Sequence, residues 1–321
     1  MRVPAIAGIA YAFPGATRTV AELGRSGLLE SEPALLESFG FGQVHVAEEE
    51  SPYELALEAA RSLLKEQGMD PESIGLLIYT GTPGTAAFRA GGAPDQSPSF
   101  LRTTERFRFP ATRMQYDLGL GASSVLALDQ LACTGLFGAV RVAGALCVAE
   151  KIDRALCVSA EFFPAEAGRE AIYNCTSDAA CAVLVSREGE RNRMIATTHV
   201  TKGYYWDADA LQEQVVASYF PTARHVIAKT LGDAGWAADS VDWVIPHNVS
   251  LKSWEILLGL TGLTRARLWS QNVARDGHTL SGDNFINLRD ALDSGSVRLG
   301  DRLILFSYGY GAHWTAIALE A

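Results

Sequence analysis

The segments "AARSLLKEQGMDPESIGLLI" (59–78) and "VIAKTLGDAGWAADSVDWVI" (226–245) follow one plan. In each, an amphipathic helical run stops at a glycine, passes an acidic turn and enters an apolar strand. Leu64, Gly68, Ser73 and Ile78 fall opposite Leu231, Gly235, Ser240 and Ile245 without a gap. Downstream, "DRALCVSA" (153–160) matches "DRLILFSY" (301–308), setting Asp153, Arg154 and Ser159 opposite Asp301, Arg302 and Ser307. Two matches in the same order indicate a duplicated α/β half. The runs "GLLIYTG", "RALCVSAE", "CAVLVSR", "DWVIPH" and "RLILFSYG" are continuously apolar, as strands covered by helices on both faces require. The expectation is a layered α/β fold of two similar halves, 1–165 and 166–321.

The chain has 321 residues, 48% hydrophobic and 20% charged, the composition of an ordinary soluble protein. A formal charge of −10 argues against nucleic acid and against an anionic membrane surface, since both need clustered Lys and Arg. No apolar run is read as long enough to span a bilayer, for which about 18 residues are needed. The start of the chain lacks a clear cleavage site, so a cytoplasmic location is expected. Five cysteines, an odd number without close pairs, favour neither a disulfide framework nor a zinc site, and no metal or cofactor is expected.

Within "ALDQLACTGLFGAV" (127–140), Cys133 stands where polar residues give way to a glycine- and alanine-rich helical run. The partial positive charge and free N–H groups of a helix start favour a thiolate and any oxyanion beside it, which suits a nucleophile. Cys147, Cys157 and Cys181 lie inside apolar runs and read as packing residues. His247, in "DWVIPHNVSLKSW", and His278, in "ARDGHTLSGDNF", read as sitting where a strand ends and a loop begins, at the rim where α/β proteins build sites. Two histidines beside one thiol would let one move protons while the other supports a developing oxyanion. His45, His199, His225 and His313 read as surface or core residues. The turn "SYGYGAHW" (307–314) carries Gly309 and Gly311, where a backbone N–H can approach a ligand closely.

"DQLACTGLFGAVRVAGAL", "VIPHNVSL", "DGHTLSGDNFINLRDAL" and "YGYGAHW" occur in the order seen in ketoacyl synthase III enzymes of the thiolase superfamily. "SDAACAVLV" resembles their "GDGAGAAVL" segment and "GLLIYTGTPG" their first central strand. The resemblance spans nearly the whole chain. It implies a five-layered αβαβα fold with two pseudo-symmetric halves, a homodimer, Cys133 as acyl-accepting nucleophile and His247 as the first catalytic histidine. His278 occupies the place of the family's asparagine in "GNT". The backbone N–H groups of Cys133 and Tyr310 would form the oxyanion hole, although Tyr310 interrupts a run of three glycines in the family. Phe88 roughly matches a residue that caps the partner's tunnel, and the stretch 81–113 looks longer than usual.

Near the N-terminus, "GFGQVH" (40–45) replaces the family's "GIRERH". Gly42 and Val44 stand where arginines grip coenzyme A in the family, and the upstream tryptophan is missing. Delivery by an acyl carrier protein is therefore preferred over coenzyme A, with Arg102, Arg106, Arg108 and Arg113 as a candidate basic patch. The expected activity is acyl transfer through a Cys133 acyl-enzyme, first of all condensation with a malonyl-type thioester in specialised metabolism. Transfer to an alcohol or amine, with His247 as general base, is the alternative, and hydrolysis or a non-catalytic partner subunit are further ones.

Overall fold

The computed structural model describes residues 2–81, 87–89, 107–164, 166–208, 210–264 and 266–321. One sheet holds β1 (Ala5–Ala12), β2 (Leu76–Gly81), β3 (Ser124–Ala127), β4 (Arg154–Glu161) and β5 (Ala179–Ser186). A second holds β6 (Arg193–Thr201), β7 (Trp243–Pro246), β8 (Arg267–Leu268), β9 (Arg302–Gly309) and β10 (His313–Glu320). The orders are β3-β2-β4-β5-β1 and β8-β7-β9-β10-β6, the same arrangement twice. In each sheet the first three strands run parallel and the last two antiparallel. The two sheets meet edge to edge only at the pair Ala5–Arg193. The duplication read from the sequence is thus a duplication of topology. In the chain, β5 (Ala179–Ser186) still pairs with β4 and β1, and β6 begins the second set of strands at Arg193.

Strand alternation sorts the core into layers. On β4, Ala155 and Cys157 face one side while Leu156, Val158 and Ala160 face the other. The outer face of the first sheet is covered by α1 (Pro52–Glu66) and α2 (Pro110–Leu118). Ser51 and Glu54 close a capping box at the start of α1, with Pro52 at the first helical position, and Leu55, Ala59 and Leu63 line its buried face. The outer face of the second sheet is covered by α4 (Gln212–Ala234) and α5 (Leu251–Thr261). Gly235, at φ 68°, ends α4 as the glycine stop in the sequence predicts.

Between the sheets lie α3 (Gly135–Ala149) and α6 (Asp283–Asp293). The five layers are the αβαβα architecture of the thiolase-like fold. Phe137 of α3 and Phe285 of α6 meet in the middle layer with ring centroids 5.1 Å apart. One correction to the sequence reading belongs here. Ala132–Ala149 is an 18-residue stretch of mean hydropathy 1.7, long and apolar enough by composition to cross a bilayer. It is that apolar because it is sandwiched between two sheets, and Leu136, Phe137, Val140, Ala143 and Cys147 are all buried there.

Phe285→Ala would leave a cavity in this middle layer, and the free energy of unfolding is expected to fall by about 3–5 kcal/mol. Leu299→Ala, exposed in the turn before β9, is expected to change it by less than about 0.5 kcal/mol. Urea denaturation of the two variants tests this.

Candidate active site

Cys133 sits in a short 3-10 turn, Ala132–Thr134, immediately before α3. Ala132 adopts φ 45°, a left-handed conformation that strains a residue with a Cβ and bends the chain sharply. Thr134 does not cap the helix, because its hydroxyl donates to Leu131 O at 2.7 Å. Among the described residues no side chain caps the α3 N-terminus, and its positive end lies next to the sulfur. From the second half, the Ser307 hydroxyl donates to Cys133 O at 3.2 Å. Gly309 packs so closely that a Cβ there would lie 2.5 Å from Leu131 O and 3.2 Å from the Cys133 nitrogen. Only glycine fits at that strand end.

His278 Nε2 lies 3.3 Å from Cys133 Sγ, and its Nδ1 lies 2.5 Å from Asp283 Oδ2. Cys133, His278 and Asp283 therefore form a thiol–imidazole–carboxylate relay, nearly sealed from solvent. Asp283 opens α6 and also accepts from Asn248 N, Thr279 N and Thr279 Oγ1 at 2.6–2.7 Å. Burial opposes a charged His278, but the Asp283 carboxylate and the Cys133 sulfur outweigh it and hold the imidazole well above the ordinary histidine range. The backbone of His278 is fixed by Cys175 and Ser177, whose strand-like segment runs beside it.

His247, just past β7, is driven the other way: burial first and the neighbouring His278 second hold it well below the ordinary value, so it is neutral. Its Nε2 lies 3.2 Å from the Tyr219 hydroxyl of α4, and the two histidine rings are 6.2 Å apart. A ladder of buried amides locks the strand ends that carry these groups. Asn284 donates to Ile245 O and Phe306 O, Asn287 to Pro246 O and Asn248 Oδ1, and Asn248 to Gly277 O.

Cys133, His247 and His278 line one cavity of about 570 Å³, within the size range of small-molecule sites. Its walls are largely apolar, with the rings of Phe163, Tyr219, Phe220, Tyr308 and Tyr310 among them, and its exposed rim includes Tyr173, Val216 and Ile256. The sequence-derived nucleophile and both histidines are thus brought together, and Tyr310 borders the same space. Gly309 and Gly311 (φ 82°) shape the turn behind it. Phe88 packs on Tyr53, 4.8 Å between rings, and does not line this chain's own cavity. Arg102 and Arg106 lie outside the described residues. Arg113 pairs with Asp117 on the surface of α2 at 2.7 Å, an ordinary i,i+4 contact, and Arg108 is exposed. Cys147, Cys157, Cys175 and Cys181 are buried free thiols, with burial pushing Cys147 up to about 11 and Cys175 up to about 12.

Asp283, Glu161 and Tyr219 were not singled out in the sequence. Five residues after His278 and before an apolar helical run, Asp283 had the pattern of a helix-opening acid, which was the available signal. Gly42 and Val44 gain a physical reading: a Cβ at 42 would lie 2.6 Å from Ala274 O, and Val44 is fully buried. Neither position has space for an arginine.

The family model of the 3-oxoacyl-[acyl-carrier-protein] synthase III C-terminal region matches residues 231–321. Over the full length of both chains, this sequence is 28% identical to a beta-ketoacyl-[acyl-carrier-protein] synthase III of Rhizorhabdus wittichii. The crystal structure of 3-oxoacyl-[acyl-carrier-protein] synthase III from Aquifex aeolicus superimposes with a TM-score of 0.82 at 20% identity, covering 99% of this chain and 100% of that one. The acyltransferase ChlB3 superimposes with a TM-score of 0.82 at 21% identity, covering 99% and 98%.

Asp283→Asn removes the counter-charge of His278. Because the folded protein holds the His278 proton beyond the unfolded value, the stabilisation is full below about pH 6.5 and fades as pH rises through the raised folded value. The stability deficit of Asp283→Asn is therefore expected to be largest in mildly acidic solution and to shrink on the alkaline side. Iodoacetamide alkylation of Cys133 at pH 7, followed by peptide mass spectrometry, should be slower in Asp283→Asn than in the wild type, because His278 loses the carboxylate that holds its proton beside the sulfur.

Proposed function

As a divergent ketoacyl-acyl carrier protein synthase III-like acyltransferase of the thiolase superfamily, the chain is, we propose, a ping-pong enzyme that loads an acyl group on Cys133 and passes it to an alcohol or amine. The observation that carries this reading is the Asp283–His278–Cys133 relay. In the first half-reaction the Cys133 sulfur, its proton on His278, attacks the thioester carbonyl. The tetrahedral oxyanion meets the backbone N–H of Cys133 and that of Tyr310 at the helix start. As the intermediate collapses, the carbon–sulfur bond to the donor breaks and His278 Nε2 gives its proton to the departing thiolate. His278 is then neutral and faces the acyl-enzyme. In the second half-reaction it takes the proton of the acceptor O–H or N–H as that atom attacks the carbonyl, and the released Cys133 thiolate regains its imidazolium partner.

This assigns the base to His278, which touches the sulfur and is backed by a carboxylate, rather than to His247. The neutral His247 and Tyr219 polarise the acceptor side of the cavity. Condensation with a malonyl thioester is the second reading, favoured by the convergence of two imidazoles on one cavity: both would donate to the enolate formed as carbon dioxide leaves. The packed positions of Gly42 and Val44 support a carrier protein as donor. The exposed edge strand β3, with Leu126 and nearby Tyr116 open to solvent, supports a homodimer.

The test is intact-protein mass spectrometry after incubation with acyl carrier protein and coenzyme A thioesters. An acyl mass on the wild type and none on Cys133→Ala is expected. Discharge by alcohols or amines but not by malonyl carrier supports the first reading, and discharge by malonyl carrier selects condensation. No adduct from any donor would overturn both and favour a non-catalytic subunit.

A further inference from the structure

The pseudo-twofold relation between the halves reaches into the active site. Leu280–Gly282 forms a 3-10 turn before α6 just as Ala132–Thr134 does before α3. Leu280, at φ 57°, precedes Ser281 as Ala132, at φ 45°, precedes Cys133. The Ser159 hydroxyl meets Ser281 Oγ at 2.6 Å, where its counterpart Ser307 meets Cys133 O. Ser281 is thus the counterpart of the nucleophile. Strand β4 ends at Glu161 where β9 ends at Gly309, the glycine that abuts the Cys133 nitrogen.

Glu161 is therefore a carboxyl at a strand end where the matching half of the fold uses a glycine. It borders the catalytic cavity together with Cys133 and His278. Ser281, whose hydroxyl meets Ser159, lies beside it, and the ionisable groups that face it are Tyr79 from β2, Cys133, His278 and Asp283. Among the described residues no arginine or lysine forms an ion pair with it. A carboxyl at the wall of a largely apolar cavity, with only the His278 imidazole beside it to offset a negative charge, is costly when ionised, and neither fold nor relay requires it. We propose that Glu161 is a positioning residue for the acyl thioester, its carboxyl group donating a hydrogen bond into the cavity to a polar atom of the substrate held beside Cys133.

Donation requires the neutral acid. Burial, only partly offset by Ser281 and His278, pushes the Glu161 carboxyl up to about 7, so that the neutral form persists into the physiological range. Ionisation above that value removes the donor and adds a negative charge beside the developing oxyanion. Activity dependent on Glu161 is present below about pH 7 and lost above it.

The inference rests on the acyl-enzyme reading, and its test separates the two. Benzoyl and hexanoyl N-acetylcysteamine thioesters are the probes. The rate of Cys133 acylation from pH 5.5 to 9, divided by the iodoacetamide alkylation rate at each pH, isolates the thioester step from thiolate supply. The wild-type ratio is expected to fall as pH rises through about 7. Glu161→Gln, a permanent neutral donor, should lose that fall, and Glu161→Ala should acylate about tenfold more slowly at pH 6 with alkylation unchanged. Superimposable profiles for wild type and Glu161→Gln, or parallel loss of acylation and alkylation in Glu161→Ala, would overturn the proposal. A wild type that alkylates at Cys133 but is acylated by no thioester would overturn the acyl-enzyme reading, and this inference with it.

Discussion

The Asp283 carboxylate, without solvent contact, is held by the N–H groups of Asn248 and Thr279, the Thr279 hydroxyl and the His278 ring. A buried carboxylate left short of partners would cost several kcal/mol, and here each oxygen has two donors. Those donors come from the end of β7, from the turn before α6 and from His278 itself. The same contacts therefore fix His247 and His278 relative to α6. His278 in turn fixes the direction from which a proton reaches or leaves Cys133. Relay geometry and the junction of the second sheet with the middle layer are one construction.

The duplicated topology explains why the site is where it is. Each half directs a strained turn and a helix start toward the junction, and each supplies a strand end that packs against the other's turn. The halves have since diverged in chemistry at matched places: Cys133 against Ser281, Gly309 against Glu161, Gly135 against Asp283. One turn holds the Cys133 thiol, and the residue after the other is the Asp283 carboxylate that orients His278 beside it. Cavity volume and aromatic lining then come from elements outside the duplication's common core, chiefly Tyr219 and Phe220 of α4 and the 163–176 segment. That segment is tied down by the buried Arg169–Asp178 pair at 2.7 Å.

Much of this was legible in the chain. Two gapless matches gave the repeat, continuous apolar runs gave the strands, and Cys133 stood out because glycine and alanine follow it. His247 and His278 stood at element ends. Less legible were groups whose role arises only from tertiary packing. Asp283 reads as an ordinary helix-opening acid until His278 is placed beside it. Glu161 closes an apolar strand and looks like its first solvated residue, whereas β4 ends inside the cavity wall. Tyr219 lies in mid-helix, where nothing local marks a ring that reaches His247. No apolar run was read as reaching bilayer length, yet 132–149 does, and its apolarity reflects a helix enclosed between two sheets.

The most direct test of the account is nitrogen NMR of histidine-labelled protein across pH, with His278 and His247 assigned by substitution. The account predicts that His278 carries protons on both ring nitrogens well above pH 6.5, while His247 is neutral throughout the same range. A His278 that titrates at the ordinary histidine value would contradict the relay on which the chemistry is built.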